Sequence, residues 1–277
     1  MPPIAVTGAT GRLGRRVVSR LAAAGVAQRL VVRDPSRAPQ LAGSDVATAD
    51  YGDAGAVRKA LHGIDVVFMV SASESVDRVD RHLAFVDAAR ATGVRHLVYT
   101  SFFGASPDAT FTLARDHWAT EEHIRSSGMS FTFLRDNLYA DFVPMMMDDE
   151  GVIRGPAGDG RAAVVAQDDI ADVAAAVLTH PDAHLNASYD LTGPAALTMT
   201  EIAAVASSAL GREVRFHHET IDEAYASRAK FNAPRWQVDA WVSTYTAIAA
   251  GEFDGVSGAI PSITGHPATS LGELLRR

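Results

Sequence analysis

The sequence of 277 residues contains no cysteine. This absence excludes disulfide bonds, thiolate metal sites and a cysteine nucleophile, and it agrees with a reducing compartment. A chain of this length buries enough surface to fold without such cross-links, as one large domain or two smaller ones. Hydrophobic residues make up 47% of the chain and charged residues 21%, a globular composition that excludes disordered and fibrous proteins.

Lysine is scarce, since only Lys59 and Lys230 occur, and no block of basic residues is present. Acidic residues outnumber basic ones by 33 to 25, which gives a formal net charge of −8. A nucleic-acid-binding protein needs a basic surface for the phosphates, so we expect no such partner. The longest apolar runs, such as 66–70, are too short to cross a bilayer, and the first residues lack a signal-peptide pattern. We therefore expect a cytoplasmic protein without a membrane partner.

Apolar, strand-like runs alternate with amphipathic segments through the first half of the chain. The predicted strands are 4–7, 30–33, 46–49, 65–70, 96–101 and 130–134, and the predicted helices are 12–24, 54–61, 76–92 and 112–127. This alternation predicts an α/β fold of the Rossmann type, in which helices cover both faces of a doubly wound parallel sheet.

The second half of the chain has a different pattern. We assign residues 1–150 to the Rossmann domain and 151–277 to a smaller, mostly helical cap for the substrate. A strand at 162–166 and a helix at 168–178 lead us to expect that 162–180 completes the sheet. Further helices are predicted at 200–210, 220–229 and 234–250.

The strongest motif is a glycine-rich loop between the first strand and the first helix, with Gly8, Gly11 and Gly14 in a G-x-x-G-x-x-G pattern. Gly8 would allow a tight turn, Gly11 a close approach of the backbone to a pyrophosphate, and Gly14 close packing of the helix on the strand. The helix N-terminus would then offer free N–H groups to the anion. The alternative is a glycine-rich turn with a structural role only.

The end of the second strand indicates which dinucleotide would bind. An acidic residue at this place holds a free ribose hydroxyl, whereas arginine accommodates a 2′-phosphate. Arg33 ends the strand and Arg37 follows one turn later, so we predict NADP(H). Asp34 keeps NAD(H) open as the less favoured cofactor, and Arg33 could also be only a solvated strand end.

Together with Val31-Val32-Arg33-Asp34, the glycine loop resembles the NmrA-like group of atypical short-chain dehydrogenases/reductases. The resemblance continues nearly to the end of the chain, through 65–71, 94–101, 117–122, 127–135, 168–171 and 264–267. The pattern is most similar to the branch of type 2 quinone oxidoreductases and triphenylmethane reductases. It implies NADPH-dependent reduction of quinones or dye-like conjugated molecules, although the group also includes regulators that bind NADP(H) without turnover.

The residues predicted to contact the cofactor lie in the loop, after the second and third strands, and after the fourth and fifth strands. They are Gly8, Thr10, Gly11, Arg12, Leu13, Gly14, Arg33, Arg37, Asp50, Ser71, Ser73, Thr100 and His117. We predict no metal site, because His217-His218-Glu219 lacks the HExxH spacing and reads as a strand end.

The Tyr-x-x-x-Lys pair of ordinary short-chain dehydrogenases is absent, since neither lysine follows a tyrosine at that spacing. His117 is the leading substitute, because relatives that lack the tyrosine often carry a lysine or histidine there and histidine exchanges protons near neutral pH. It could instead pack, or bind the cofactor ribose. Ser101 could polarise a carbonyl or cap the strand end, and Tyr139 could donate its hydroxyl or form part of the pocket wall.

The predicted substrate contacts follow the fifth and sixth strands and are partly aromatic. They are Phe102, Phe103, Asn137, Tyr139 and Phe142. We predict an oxidoreductase, a monomer or homodimer, that reduces a flat, conjugated, quinone-like or polyketide-like acceptor with NADPH. The alternative is a sensor that binds NADP(H) and reports it to a protein partner.

Overall fold

The computed structural model describes residues 3–277. The strands are β1 (Ile4–Thr7), β2 (Gln28–Val32), β3 (Ser44–Thr48), β4 (Val66–Met69), β5 (His96–Phe102), β6 (Ser130–Asp136), β7 (Val152–Gly155), β8 (Arg161–Ala162), β9 (Ala187–Leu191), β10 (Leu197–Thr198) and β11 (Arg215–His218). The helices are α1 (Arg12–Ala23), α2 (Ala54–Ala60), α3 (Arg78–Ala91), α4 (Thr112–Ser127), α5 (Gln167–Thr179), α6 (Met199–Leu210), α7 (Ile221–Arg228), α8 (Arg235–Ala249), α9 (Ala259–Thr264) and α10 (Leu271–Leu275).

Seven of these strands form one sheet in the order β3-β2-β1-β4-β5-β6-β9. The pairs β1–β2, β1–β4, β2–β3 and β4–β5 are parallel. The predicted Rossmann-type fold is confirmed. The chain reverses its direction of travel across the sheet between β1 and β4, which is the switch point where such sheets bind ligands.

The apolar runs that predicted the central strands are buried. Every residue of β1, β4 and β5 is buried, as expected for strands covered on both faces. α1 places Leu13, Val17, Val18 and Leu21 on its buried face, at the spacing of a helix that packs one side on a sheet. Gly25 follows this helix with a φ of 72°, in the left-handed region that favours glycine.

The sheet is completed by β9 rather than by the predicted strand at 162–166. β8 lies within that segment, but it pairs antiparallel with β10 in a separate two-stranded sheet. β9 was not predicted because half-buried and exposed positions alternate along this edge strand before the buried Leu191, and because Ser188 and Asp190 interrupt the apolar pattern.

The chain forms two compact units. The first comprises Met1–Ser101, Trp118–Arg135 and Ile170–Tyr189, and the second comprises Phe102–His117, Asp136–Asp169 and Asp190–Arg277. The units alternate along the chain, so a single boundary near residue 150 does not separate them. The chain passes from the second unit into the first within α4 and again within α5. It passes from the first unit into the second within β5, β6 and β9.

Each unit has its own apolar core. In the first unit, aromatic and aliphatic side chains from β4, β5, β6 and α3 pack together, among them Phe85, Leu97, Tyr99 and Phe133. The second unit contains α6 to α10 together with the pairs β7–β11, which is parallel, and β8–β10. The three helices predicted for the cap are present as α6, α7 and α8. Within residues 3–277, no helix is long and apolar enough to cross a membrane.

Candidate active site

The glycine loop lies between β1 and α1 of the first unit. Gly8 has a φ of 62°, and its carbonyl accepts a hydrogen bond of 2.8 Å from the Gly11 N–H. A Cβ at Gly14 would lie 2.2 Å from the Gly8 oxygen, and one at Gly11 would lie 3.2 Å from the same atom. Gly14 is therefore required by the close packing of the loop on its own helix, and Gly8 by its backbone conformation.

The N-terminus of α1 suits a phosphate group. Gly11 is the N-cap residue, no side chain caps the helix, and its first turn contains no acidic residue. The N–H groups of that turn and the positive end of the helix dipole thus favour the binding of an anion, since no carboxylate in the turn competes for this place. Thr10 is half-buried, whereas Gly11 and Arg12 are exposed and line a cleft of about 410 Å³. Leu13 is buried, so only its backbone is suited to contact a ligand.

The end of β2 favours a 2′-phosphate over a free ribose. Arg33 and Arg37 are both exposed. Asp34 instead caps a short 3₁₀ turn at Pro35–Arg37, accepting hydrogen bonds from the Ser36 backbone N–H at 3.0 Å and from its hydroxyl at 2.6 Å. These bonds lower the pKa of Asp34, with the hydroxyl as the largest cause. The Asp34 carboxylate is thus already hydrogen-bonded within the turn, whereas Arg33 and Arg37 are exposed.

Tyr51 forms hydrogen bonds next to the glycine loop, a role that the sequence did not predict. Its hydroxyl contacts Thr7 Oγ1 and donates to the Val70 carbonyl at 2.6 Å. The Val70 N–H in turn donates to Thr7 Oγ1 at 2.9 Å, which joins the ends of β1 and β4. Burial raises the pKa of Tyr51, so its hydroxyl remains protonated. The only signal in the sequence was its position beside Asp50, at the end of a predicted strand.

Asp50 forms an ion pair with Arg81 of α3. The shortest nitrogen–oxygen distance is 2.5 Å, and Asp50 also accepts a hydrogen bond of 3.0 Å from the Gly52 N–H. Both carboxylate oxygens therefore have protein partners. This arrangement favours a role in holding the segment after β3, and the predicted contact with the cofactor stays a prediction.

The segment after β4 is fixed by the neighbouring strand. The Ser71 N–H donates to Thr100 Oγ1 at 2.7 Å, and that hydroxyl also lies 3.4 Å from the Met69 carbonyl oxygen. Thr100 is 1% exposed, so its side chain links β4 and β5 rather than facing solvent. Ser73 is exposed. The predicted cofactor contacts of Ser71 and Ser73 lie next to the switch point of the sheet.

Ser101 has a different environment from the one predicted for a group that polarises a substrate. It is 0% exposed, and its hydroxyl donates a hydrogen bond of 2.6 Å to Glu121 Oε1. Glu121 is equally buried and pairs with Arg125 at 2.9 Å and with Arg135 at 2.6 Å. The hydroxyl therefore belongs to a buried ion-pair network, and this geometry favours the structural alternative for Ser101.

His117 and Phe102 belong to an aromatic cluster in the second unit. The two ring centres lie 6.0 Å apart, and Phe102 also packs at 4.9 Å against Phe111 and at 5.2 Å against Phe253. His117 is 6% exposed. The predicted role of His117 in proton transfer stays a prediction.

Some of the predicted substrate residues in the second unit are bound or packed within the protein, and others are exposed to solvent. Asn137 is fully buried, donates to the Phe253 carbonyl at 3.1 Å and accepts from the Leu138 N–H at 2.8 Å, so its amide has a structural role. Phe103 is half-buried and packs against Gly255. Neither observation favours a direct contact with a substrate.

Tyr139 and Phe142 form an edge-to-face pair with ring centres 5.3 Å apart. Phe142 is 38% exposed, and Met145 beside it is 65% exposed. The Tyr139 hydroxyl donates its proton to Asp136 Oδ2 at 2.6 Å, so this proton is already engaged within the protein. This part of the second unit presents accessible apolar surface, and the predicted contacts of Tyr139 and Phe142 with a substrate stay predictions.

The structure thus places the loop, Arg33, the 71–73 segment and Ser101 in the first unit. It places His117 and all the predicted substrate residues in the second. Among residues 3–277, no group of three or more histidine, aspartate or glutamate side chains is arranged to hold a metal ion.

Comparison with known proteins identifies the family. Residues 2–232 match the NmrA-like family. The chain belongs to this family. The NmrA-like protein is 32% identical to NAD(P)H azoreductase of Xenophilus azovorans, over 99% of this chain and 96% of that protein. It is 33% identical to quinone oxidoreductase 2 of Escherichia coli, over 98% and 96% of the two chains.

A solved structure of similar shape is that of triphenylmethane reductase from Citrobacter in complex with NADP(H). It shares 30% identity with the NmrA-like protein and has a TM-score of 0.87, and the alignment covers 99% of both chains. The predicted family is confirmed, and so is the prediction of an enzyme: this NmrA-like protein is an oxidoreductase.

Proposed function

We propose that the protein transfers a hydride from NADPH to a flat, conjugated acceptor of the quinone type. Similar proteins carry the names quinone oxidoreductase and azoreductase, and a further one reduces triphenylmethane dyes. Quinones, azo compounds and these dyes share a conjugated system that accepts two electrons. This shared chemistry, rather than any one of the named compounds, defines the substrate class.

The cofactor of this protein is NADP(H), as predicted. A structure of Escherichia coli quinone oxidoreductase with NADPH is 32% identical to this protein and has a TM-score of 0.89. The alignment covers 98% of both chains. The site fits this group, because Gly11 is exposed at the N-terminus of α1, where no side chain caps the helix and no acidic residue lies in the first turn. We propose that Arg33, with Arg37, holds the 2′-phosphate.

The observation that carries the acceptor class is the accessible aromatic surface of the second unit. Tyr139 and Phe142 offer two ring faces at an angle of 73°, and the exposed Met145 adds a flexible apolar side chain. Aromatic rings of this kind stack on planar conjugated molecules. A small hydroxy acid has no planar face for such stacking.

Reduction of a quinone or an azo compound requires one hydride and one proton, whereas a cationic triphenylmethane dye takes up a hydride alone on its central carbon. NADPH supplies the hydride when it is bound. A reduced quinone or azo compound then takes a proton on its oxygen or nitrogen, and the chain has no Tyr-x-x-x-Lys pair to provide it. Among the three predicted candidates, Ser101 and Tyr139 both donate their hydroxyl protons to carboxylates. We therefore assign the proton transfer to His117.

The test is a spectrophotometric assay of NADPH oxidation with quinones, azo compounds, cationic dyes and enones. The proposal expects turnover with planar quinone-like acceptors and little with small aliphatic carbonyls. The Gly11→Val protein, in which the side chain would occupy the pyrophosphate position, is the negative control. If the wild-type protein binds NADPH but oxidises it with none of these acceptors, the proposal is contradicted and the sensor alternative gains support.

A further inference from the structure

A histidine that the proposed chemistry does not use lies buried in the first unit. His82 of α3 is 0% exposed, and burial, followed by repulsion from Arg78 and Arg81, lowers its pKa to about 3. The imidazole is therefore neutral. A neutral imidazole carries one N–H donor and one acceptor nitrogen, so its hydrogen bonds reveal which nitrogen holds the proton.

The contacts of His82 assign the tautomer. Nε2 accepts a hydrogen bond of 2.8 Å from the Ala72 backbone N–H. The proton must then be on Nδ1, which lies 3.0 Å from the hydroxyl oxygen of Thr120 on α4 and donates to it. The Tyr99 ring packs edge-on against the imidazole at 5.8 Å. The ring is thus fixed from three sides, with its acceptor aimed at one backbone amide.

Ala72 is held by its carbonyl as well. Arg78 Nε donates to the Ala72 oxygen at 2.9 Å, and Arg78 is only 4% exposed. The preceding residue, Ser71, donates its N–H to Thr100. Two consecutive residues of this irregular segment therefore have their backbone groups bound by side chains. Such a segment would otherwise bond to water and move, because no strand or helix ladder satisfies it.

The place of this segment in the fold gives the bonds a function. Residues 71–73 follow β4, and β4 pairs with β1 at the switch point of the sheet. Gly8 follows β1 there, and its added Cβ would lie 3.1 Å from Val70 Cβ. The segment therefore begins beside the glycine loop, at the edge where a dinucleotide binds in folds of this kind.

We propose that His82 is a positioning residue for the dinucleotide, acting through the Ala72 N–H to hold the 71–73 backbone as one wall of the cofactor cleft. It does not touch the cofactor. Its role concerns NADP(H) binding alone, so it applies whichever acceptor the enzyme reduces. The acceptor on Nε2 is the essential feature, and the volume of the ring is secondary.

Two polar variants separate these properties. In His82→Gln the side-chain oxygen reaches the place of Nε2 and keeps an acceptor for the Ala72 N–H. In His82→Asn the shorter side chain reaches only the place of Nδ1. Loss of a neutral hydrogen bond should raise the dissociation constant of NADPH roughly 3- to 10-fold in His82→Asn. We expect His82→Gln to remain within about twofold of wild type.

A second measurement needs no cofactor. Amide exchange of Ala72, followed by NMR in the free protein, should be slow in the wild type and in His82→Gln and at least several-fold faster in His82→Asn. The matched control is His96→Asn, at the first residue of β5, because His96 is also buried and bonds Thr132 at 2.8 Å. That control should lose stability without a change in NADPH affinity or in exchange at Ala72.

Equal NADPH affinity in the two His82 variants would overturn the proposal, as would an equal loss in His96→Asn. Unchanged Ala72 exchange in His82→Asn would show that the bond does not hold the segment, and would also overturn it. If His82→Asn does not fold, Thr120→Val removes the partner of Nδ1–H, together with the hydrogen bond between the Thr120 and Tyr99 hydroxyls, and should give a smaller change in the same direction. Failure of quinone reduction in wild type would contradict the proposed acceptor but leave these binding results intact.

Discussion

Replacing Ser101 with alanine separates a structural role of this residue from a catalytic one. The substitution removes one hydrogen bond of 2.6 Å to a carboxylate that is 0% exposed. Bonds to charged groups contribute about 1.5–3 kcal/mol. Glu121 would keep its contacts with Arg125 and Arg135, so it would not be left as an unpaired buried charge. We therefore expect a loss at the lower end of that range, about 1.5–2 kcal/mol of the free energy of unfolding.

The assay combines urea unfolding with steady-state kinetics on the same protein. The matched control is Ser126→Ala, which removes a bond of 2.8 Å to the neutral His123 carbonyl in the same unit. That exposed bond should contribute about 0.5–1 kcal/mol, less than the bond to Glu121. Turnover of the folded Ser101→Ala enzyme should stay within about threefold of wild type, since general acid–base help is worth about 10²–10⁴-fold. A fall in kcat of a hundredfold with unchanged stability would refute the structural reading.

Three further variants test the cofactor and proton assignments. Arg33→Ala should weaken NADPH binding on the order of 10- to 100-fold and NADH far less, because only NADPH has the 2′-phosphate; equal losses in a fluorescence titration would shift the assignment to Asp34. Gly14→Ala places a Cβ 2.2 Å from the Gly8 oxygen, so we expect lost NADPH binding together with a lower melting temperature, and full binding would contradict the loop geometry. His117→Ala should reduce kcat by about 10²–10⁴-fold with little change in NADPH affinity. If kcat holds and affinity falls, His117 only contacts the cofactor.

Much of the site could be predicted from the sequence because its signals are local. The glycine loop, the arginine that ends β2 and the missing Tyr-x-x-x-Lys pair are each contained in a few consecutive residues. The predicted aromatic residues Phe102 and Phe142 also occur where the structure has an apolar cluster and an accessible surface. Hydrogen-bond partners could not be predicted in this way. Ser101 and Asn137 looked available in the sequence, and both are engaged by residues distant from them along the chain.

The sequence by itself determined the Rossmann-type fold and the dinucleotide cofactor, since periodicity and glycine spacing depend on neighbouring residues, and the resemblance of its motifs to known proteins indicated the family. Only the tertiary structure decided which polar side chains form hydrogen bonds with each other. Thr7 and Tyr51 are 44 positions apart, and Ser101 and Glu121 are 20 apart. Whether such pairs meet depends on strand order and on the placement of helices against the sheet. The edge strand β9 and the alternating units have the same cause, because burial of a strand or helix is a property of its neighbours in space.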